Sequence, residues 1–151
     1  MHRSFALVIH GGAGVIEREQ LSAEEEAAIR ADLDAALDVG HAVLAVGGSA
    51  LDAVEAAVAA LEELPRFNAG KGSVYNAVGR HELDASIMEG HTRRAGAVAG
   101  VETIRNPVKL ARAVMEHSPH VMMISAGAEQ FADTHAGIER VANAWFATDT
   151  R

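Results

Sequence analysis

The chain has 151 residues, 49% apolar and 23% charged, which is enough to bury the core of one domain of ordinary globular composition. Thirteen basic residues against 21 acidic ones leave a formal charge of −8, and the aromatics are four Phe, one Trp and one Tyr. That balance excludes a basic, ring-studded face for nucleic acid. The absence of Cys excludes disulfides, thiolate metal centres and a Cys nucleophile. No apolar run approaches the ~18 residues of a membrane span. No cleavable leader is evident before Phe5, so the expected compartment is cytoplasmic.

The first element is the apolar run Phe5 to Ile9, which predicts a strand buried on both faces. It leads into His10-Gly11-Gly12-Ala13-Gly14. Ser22-Ala23-Glu24-Glu25 has the form of a capping box, with Glu24 to Glu26 a solvated helix start. Ile29, Leu33, Leu37 and Leu44 follow at helical spacing until Gly47-Gly48. Ser49 opens a second helix with the stripe Leu51, Val54, Val58 and Leu61, and abundant Ala on both helices predicts close packing. Leu64 to Gly72 is a loop by composition. Ser73 to Ala77, Leu83 to Ile87 and Ala95 to Val101 read as three strands of a meander. Asn106-Pro107 starts a helix whose face is Leu110, Val114 and Met115. Val121 to Ile124 predicts a short buried strand, and Ala126 to about Thr134 a last helix. The order is that of a layered α/β architecture without regular βαβ alternation.

Several chemical readings fail at a required residue. A dinucleotide fingerprint meets Glu17 at its third Gly, and a P-loop meets Pro65 at its first Gly and Gly72 after Lys71. The His-Gly-Gly turn lacks the nucleophile elbow of lipase-type hydrolases. His81 with Asp84 and His117 with His120 are each three apart but have no third partner at ligand spacing, and they read as surface or helix-end histidines. Asp84, inside a strand of small residues, needs a donor partner if buried. The His10–Gly14 turn reads equally as an anion- or oxyanion-binding turn and as a tight strand exit. Phe67-Asn68-Ala69-Gly70-Lys71-Gly72-Ser73-Val74 is the densest local signal. By composition it is an Asx-bonded loop, although such bends also turn carbonyl oxygens inward around a hard cation.

Four motifs in this order resemble the α-subunit of the N-terminal-nucleophile (plant-type) asparaginase/isoaspartyl peptidase family. They are Val8 to Gly14, Gly47-Gly48-Ser49-Ala50-Leu51-Asp52-Ala53-Val54, Phe67 to Val74, and Glu82-Leu83-Asp84-Ala85-Ser86-Ile87-Met88, with weaker support from Ala95 to Ala99 and Ile104 to Pro107. The resemblance implies an αββα four-layer sandwich of the Ntn-hydrolase type, of which residues 1–151 supply about half. It implies a precursor that cleaves itself to free an N-terminal Thr on a β-subunit, and an (αβ)2 heterotetramer. The Thr would attack asparagine or a β-aspartyl dipeptide and form an acyl-enzyme. No Thr-Val-Gly start of a β-subunit occurs here, and Thr148 and Thr150 are followed by Asp and Arg. No catalytic nucleophile is therefore expected in this chain, which ends as the family's α-subunit does before its linker.

Residue by residue, the resemblance assigns Asn68 to orienting the nucleophile's amine. It places Gly11 and Gly12 in a turn near the active site that influences self-cleavage. It implies a structural sodium ion on the backbone carbonyls of Leu61, Glu62, Leu64, Phe67, Ala69 and Lys71, and no organic cofactor. The missing Cys separates the chain from the secreted, disulfide-bearing glycosylasparaginases. A different class of function, a stand-alone, non-catalytic α/β domain that binds a ligand at the His10–Gly14 turn, predicts a well-folded monomer at this length.

Overall fold

Ser22 opens the first helix as its capping box predicts. In the computed structural model, which describes residues 4–13 and 21–149, Ser22 Oγ accepts the Glu25 N–H, and the Glu25 carboxylate accepts the Ser22 N–H. Helix α1 then runs Ala23–Ala45, and α2 runs Ala50–Glu63 behind Ser49, whose hydroxyl accepts the Asp52 N–H. The chain divides into two units, residues 1–61 and 62–151.

In the first unit small residues let backbones approach. Ala36, Ala53 and Ala57 are buried, and a methyl on Gly40 of α1 would fall 2.9 Å from the Ala53 carbonyl oxygen and 3.1 Å from Ala57 Cβ. The alanine-rich helices therefore pack closely, as their composition predicts. The strand predicted for Phe5 to Ile9 is not formed. Residues 4–13 have no regular secondary structure, Val8 is exposed and Phe5 packs its ring beside His41. A strand exists only through a ladder partner, and none pairs with these residues among those described.

The second unit is built on a three-stranded sheet of order β1-β2-β3, with β1 Leu83–Met88, β2 Ala95–Val101 and β3 Met122–Ile124. β1 and β2 are antiparallel, and β3 joins β2 in parallel after the crossover helix α3, Pro107–His117. This is one right-sized βαβ unit attached to a hairpin. The predicted first strand of the meander, Ser73 to Ala77, shrinks to a single bridge between Tyr75 and His81, because Asn76 turns the chain by accepting the Val78 and Arg80 N–H groups. Between β1 and β2 the register slips at Asp84, opposite Ala99 and Gly100. Gly100 takes φ +62°, and its N–H is accepted by the Asp84 carboxylate. The exposed Asp84 thus has its donor partner, and closes a bulge.

Helix α3 lies across the sheet and α4, Ser125–Ala132, packs on β2 and β3. The core between them holds Val98, Val101, Ile104, Val108, Leu110 and Val114, all fully buried. Phe146 is also fully buried, on a 3-10 turn at Asn143–Phe146 that the apolar periodicity does not announce. The α3 contact is close because Gly96 faces it: a methyl there would fall 2.1 Å from the Ala111 carbonyl oxygen. The opposite face of the sheet carries Ser86, Met88, Met122 and Ile124, all exposed. β3 is therefore not the buried strand its apolar sequence predicts: among the described residues it lies at the sheet edge, with Met122 and Ile124 exposed.

Helix α3 has no cap of its own, since Asn106 makes no capping bond. The Glu62 carboxylate supplies it, accepting the Val108 N–H at 2.9 Å. Glu62 is buried, and among the described residues its other oxygen has no hydrogen-bond partner. Burial pushes its carboxyl up to about 8, against the lowering effect of the Val108 N–H. Glu63 behaves oppositely. Its partial burial raises it, but hydrogen bonds from Arg105 and Asn106 outweigh this and hold it below the usual carboxylate range.

Two predictions follow from this packing. Gly96→Ala lifts α3 off β2 and lowers the unfolding free energy by about 1–3 kcal/mol in a urea titration, as for overpacked cores. For Glu62, the unfolded state ionises at 4.5 and the folded state near 8, so the folded state binds the extra proton between them. Its contribution to stability is full below the lower value and declines as pH rises through the upper one. Glu62→Gln still accepts the Val108 N–H and never ionises. The fall in urea midpoint between about pH 4.5 and about pH 8 becomes smaller in that variant; an equal fall in both proteins would assign the dependence to other groups.

Candidate functional site around Asn68

The motif from Phe67 to Val74 forms a loop that folds back on the end of α2. Lys71 donates its N–H to the Glu62 carbonyl at 2.8 Å, Phe67 to that of Leu64 at 3.2 Å, and Ser73 to that of Gly70 at 2.9 Å. Gly70 and Gly72 sit at φ +134° and +86°. A methyl on Gly70 would meet the Glu62 carbonyl oxygen at 2.4 Å, and one on Gly72 would meet that of Pro65 at 2.2 Å. Both positions therefore need glycine for conformation and for space.

Asn68 projects from this bend into solvent. Its Oδ1 accepts the Val74 N–H at 2.9 Å, an Asx-type bond across the loop. A backbone N–H only donates, so the carboxamide has a determined orientation, with Oδ1 inward and the two Nδ2 hydrogens available to a ligand. The loop is braced from the far end of the chain. The Gly72 N–H reaches the Phe146 carbonyl at 2.7 Å, and Trp145 lies between the Lys71 ammonium and the Arg105 guanidinium, 5.3 and 5.1 Å from its ring centre. Arg105 is itself held by Glu63 and Glu139.

Behind the loop lies a pair, Ser73 and His81, that the sequence does not bring together. His81 was expected at the surface and is 1% exposed. Its ring lies tilted against those of Tyr75 and Phe146, at centroid distances of 4.3 and 6.0 Å. Its Nδ1 is 3.0 Å from the hydroxyl of buried Ser73. No pattern in the sequence marks this: eight residues separate the two, and the contact depends on the Asn76 turn between them. His117, by contrast, is the last residue of α3, as its helix-end reading predicts. Among the described residues no three His, Asp or Glu side chains converge as metal ligands.

The other assigned residues lie as follows. Gly11 and Gly12 are exposed in the first unit, and Gly14 falls outside the described residues, as do Thr150 and Arg151. Gly12 takes φ +118° and donates its N–H to His10 Nδ1 at 3.1 Å. Among the described residues nothing lies within 4 Å of where a side chain on Gly12 would begin. Of the carbonyls assigned to sodium, those of Glu62, Leu64, Phe67, Ala69 and Lys71 belong to the fold-back loop of the second unit and that of Leu61 to the first. The Glu62 and Leu64 oxygens each accept a backbone N–H, from Lys71 and Phe67.

Comparison with known proteins covers this whole arrangement. The asparaginase family model matches residues 3–151. The isoaspartyl peptidase of Escherichia coli K12 is 52% identical over 145 residues, 96% of this chain and 45% of that protein. The putative isoaspartyl peptidase/L-asparaginase of Dictyostelium discoideum is 47% identical over all of this chain and 43% of its own length. The human isoaspartyl peptidase/L-asparaginase is 50% identical over 127 residues, 83% of this chain and 40% of that protein. The chain thus spans a little under half the length of these relatives. On this match the chain belongs to the asparaginase family in which the isoaspartyl peptidases fall.

Proposed function

We propose that this chain is the α-subunit of a self-processing amidohydrolase that cleaves L-asparagine, β-aspartyl dipeptides, or both. The observation that carries the reading is the Asn68 loop: an exposed carboxamide held by the Val74 N–H on a bend that admits only glycine at two positions. Its support comes from relatives near 50% identity that are named isoaspartyl peptidases. The nucleophile would be an N-terminal Thr on a β-subunit. Its amine takes the hydroxyl proton as Oγ attacks the amide carbon, and returns it to the departing amine; water then hydrolyses the ester. Asn68 orients that amine through the free lone pair of Oδ1 or the Nδ2 hydrogens. The exposed sheet face with Ser86, Met88, Met122 and Ile124 suits a second sheet from the β-subunit, which would complete an αββα sandwich and an (αβ)2 assembly. Neutral carbonyl oxygens on the fold-back loop suit a sodium ion, which would stiffen the bend that carries Asn68.

Two measurements test this. Edman sequencing of the chain that co-purifies with this one is expected to start at Thr, and any other start ends the self-processing model. In the assembled enzyme, Asn68→Ala loses an orienting hydrogen bond of about 0.5–1.5 kcal/mol, so turnover falls about two- to tenfold. Unchanged turnover and unchanged processing would remove Asn68 from the site.

A further inference from the structure

We infer that Ser73 and His81 are positioning residues for Asn68, a role that rests on placing Asn68 in the active site. The argument starts at the 3-10 turn. The Asn143 carboxamide accepts the His81 N–H at 3.2 Å and donates to the His81 carbonyl at 2.8 Å and to the Glu102 carbonyl at 2.8 Å. One side chain thus satisfies both backbone groups of His81, as a neighbouring strand would, and ties them to the end of β2.

With its backbone held, the imidazole has one polar anchor. Nε2 has no hydrogen-bond partner, so the 3.0 Å contact between Nδ1 and Ser73 Oγ is the ring's whole hydrogen bonding among the described residues. Tyr75 and Phe146 fill the remaining space around the ring. Ser73 is in turn held at its N–H by the Gly70 carbonyl, while Gly72 before it bonds to Phe146. The next backbone N–H, that of Val74, is the one that fixes Asn68 Oδ1. Three consecutive residues, Gly72 to Val74, therefore carry the anchoring of His81 and Phe146 to Asn68.

Ser73 and His81 are 3% and 1% exposed, so neither reaches a substrate, and the pair is not a nucleophile–base dyad. They act through the Val74 N–H. Losing the Nδ1–Oγ contact leaves the buried Ser73 hydroxyl unpaired in His81→Phe and the buried Nδ1 unpaired in Ser73→Ala, a cost relieved by a shift of residues 73–74 and with it the aim of Asn68.

The test uses the assembled enzyme with its partner chain. His81→Phe keeps a ring against Tyr75 and removes Nδ1. His81→Asn restores a polar atom at the Nδ1 position. Ser73→Ala removes the hydroxyl with little change in volume, and carries the test if His81→Phe fails to fold. Expected for His81→Phe and Ser73→Ala are a kcat about two- to tenfold lower, a KM within about twofold, and faster hydrogen exchange at the Val74 amide. His81→Asn recovers most of the loss. Unchanged Val74 protection overturns the inference, as does an unchanged kcat once protection is lost, or His81→Asn no better than His81→Phe. If the parent enzyme cleaves neither asparagine nor a β-aspartyl dipeptide, the proposed function fails, and Val74 exchange alone decides whether the pair holds Asn68.

Discussion

Backbone pressed against backbone governs the second unit. Gly70 lies over the Glu62 carbonyl, Gly72 over the Pro65 carbonyl and Gly96 over the Ala111 carbonyl, each too near for a side chain. The first two bend the loop that presents Asn68, and the third seats α3 on the sheet that carries the loop's anchors. A close approach of this kind gains packing and a short hydrogen bond at the cost of chain entropy, since glycine has most to lose on folding. The glycines in Asn-Ala-Gly-Lys-Gly are thus geometric requirements, whatever chemistry the asparagine performs.

Borrowed polar partners are the second theme. Helix α3 is capped by Glu62 and not by its own Asn106. The Glu102 and Thr103 N–H groups at the end of β2 are taken by the Glu129 carboxylate from α4. The hairpin backbone at His81 is taken by Asn143. Each joins segments distant in sequence. A buried donor left alone costs more than an average hydrogen bond contributes, so such long-range partners hold the elements in one arrangement.

Much of this fold is legible locally. The Ser22 box, Pro107 at a helix start and the alternation from Leu83 to Ile87 all depend on neighbours within a few residues, and all appear where the sequence places them. Asn68 and its glycines are legible for the same reason. What is not legible depends on distant partners. Phe5 to Ile9 has the composition of a strand but, among the described residues, no strand beside it; Met122 to Ile124 is apolar yet exposed on one face; and Ser73 to Ala77 yields to the Asn76 turn. The burial of His81 and the inward Phe146 arise from contacts across 8 and more than 60 residues, which no periodicity encodes.

Trp145, the chain's single tryptophan, stands between two cations, one of which is on the Asn68 loop. Indole emission responds to the field across the ring; the Arg105 charge is pinned by two carboxylates, and Lys71 belongs to the bend itself. The colour of this chain's own fluorescence is therefore coupled to the shape of the bend beside Asn68. The protein carries a built-in optical gauge of its candidate site, with no label to disturb it.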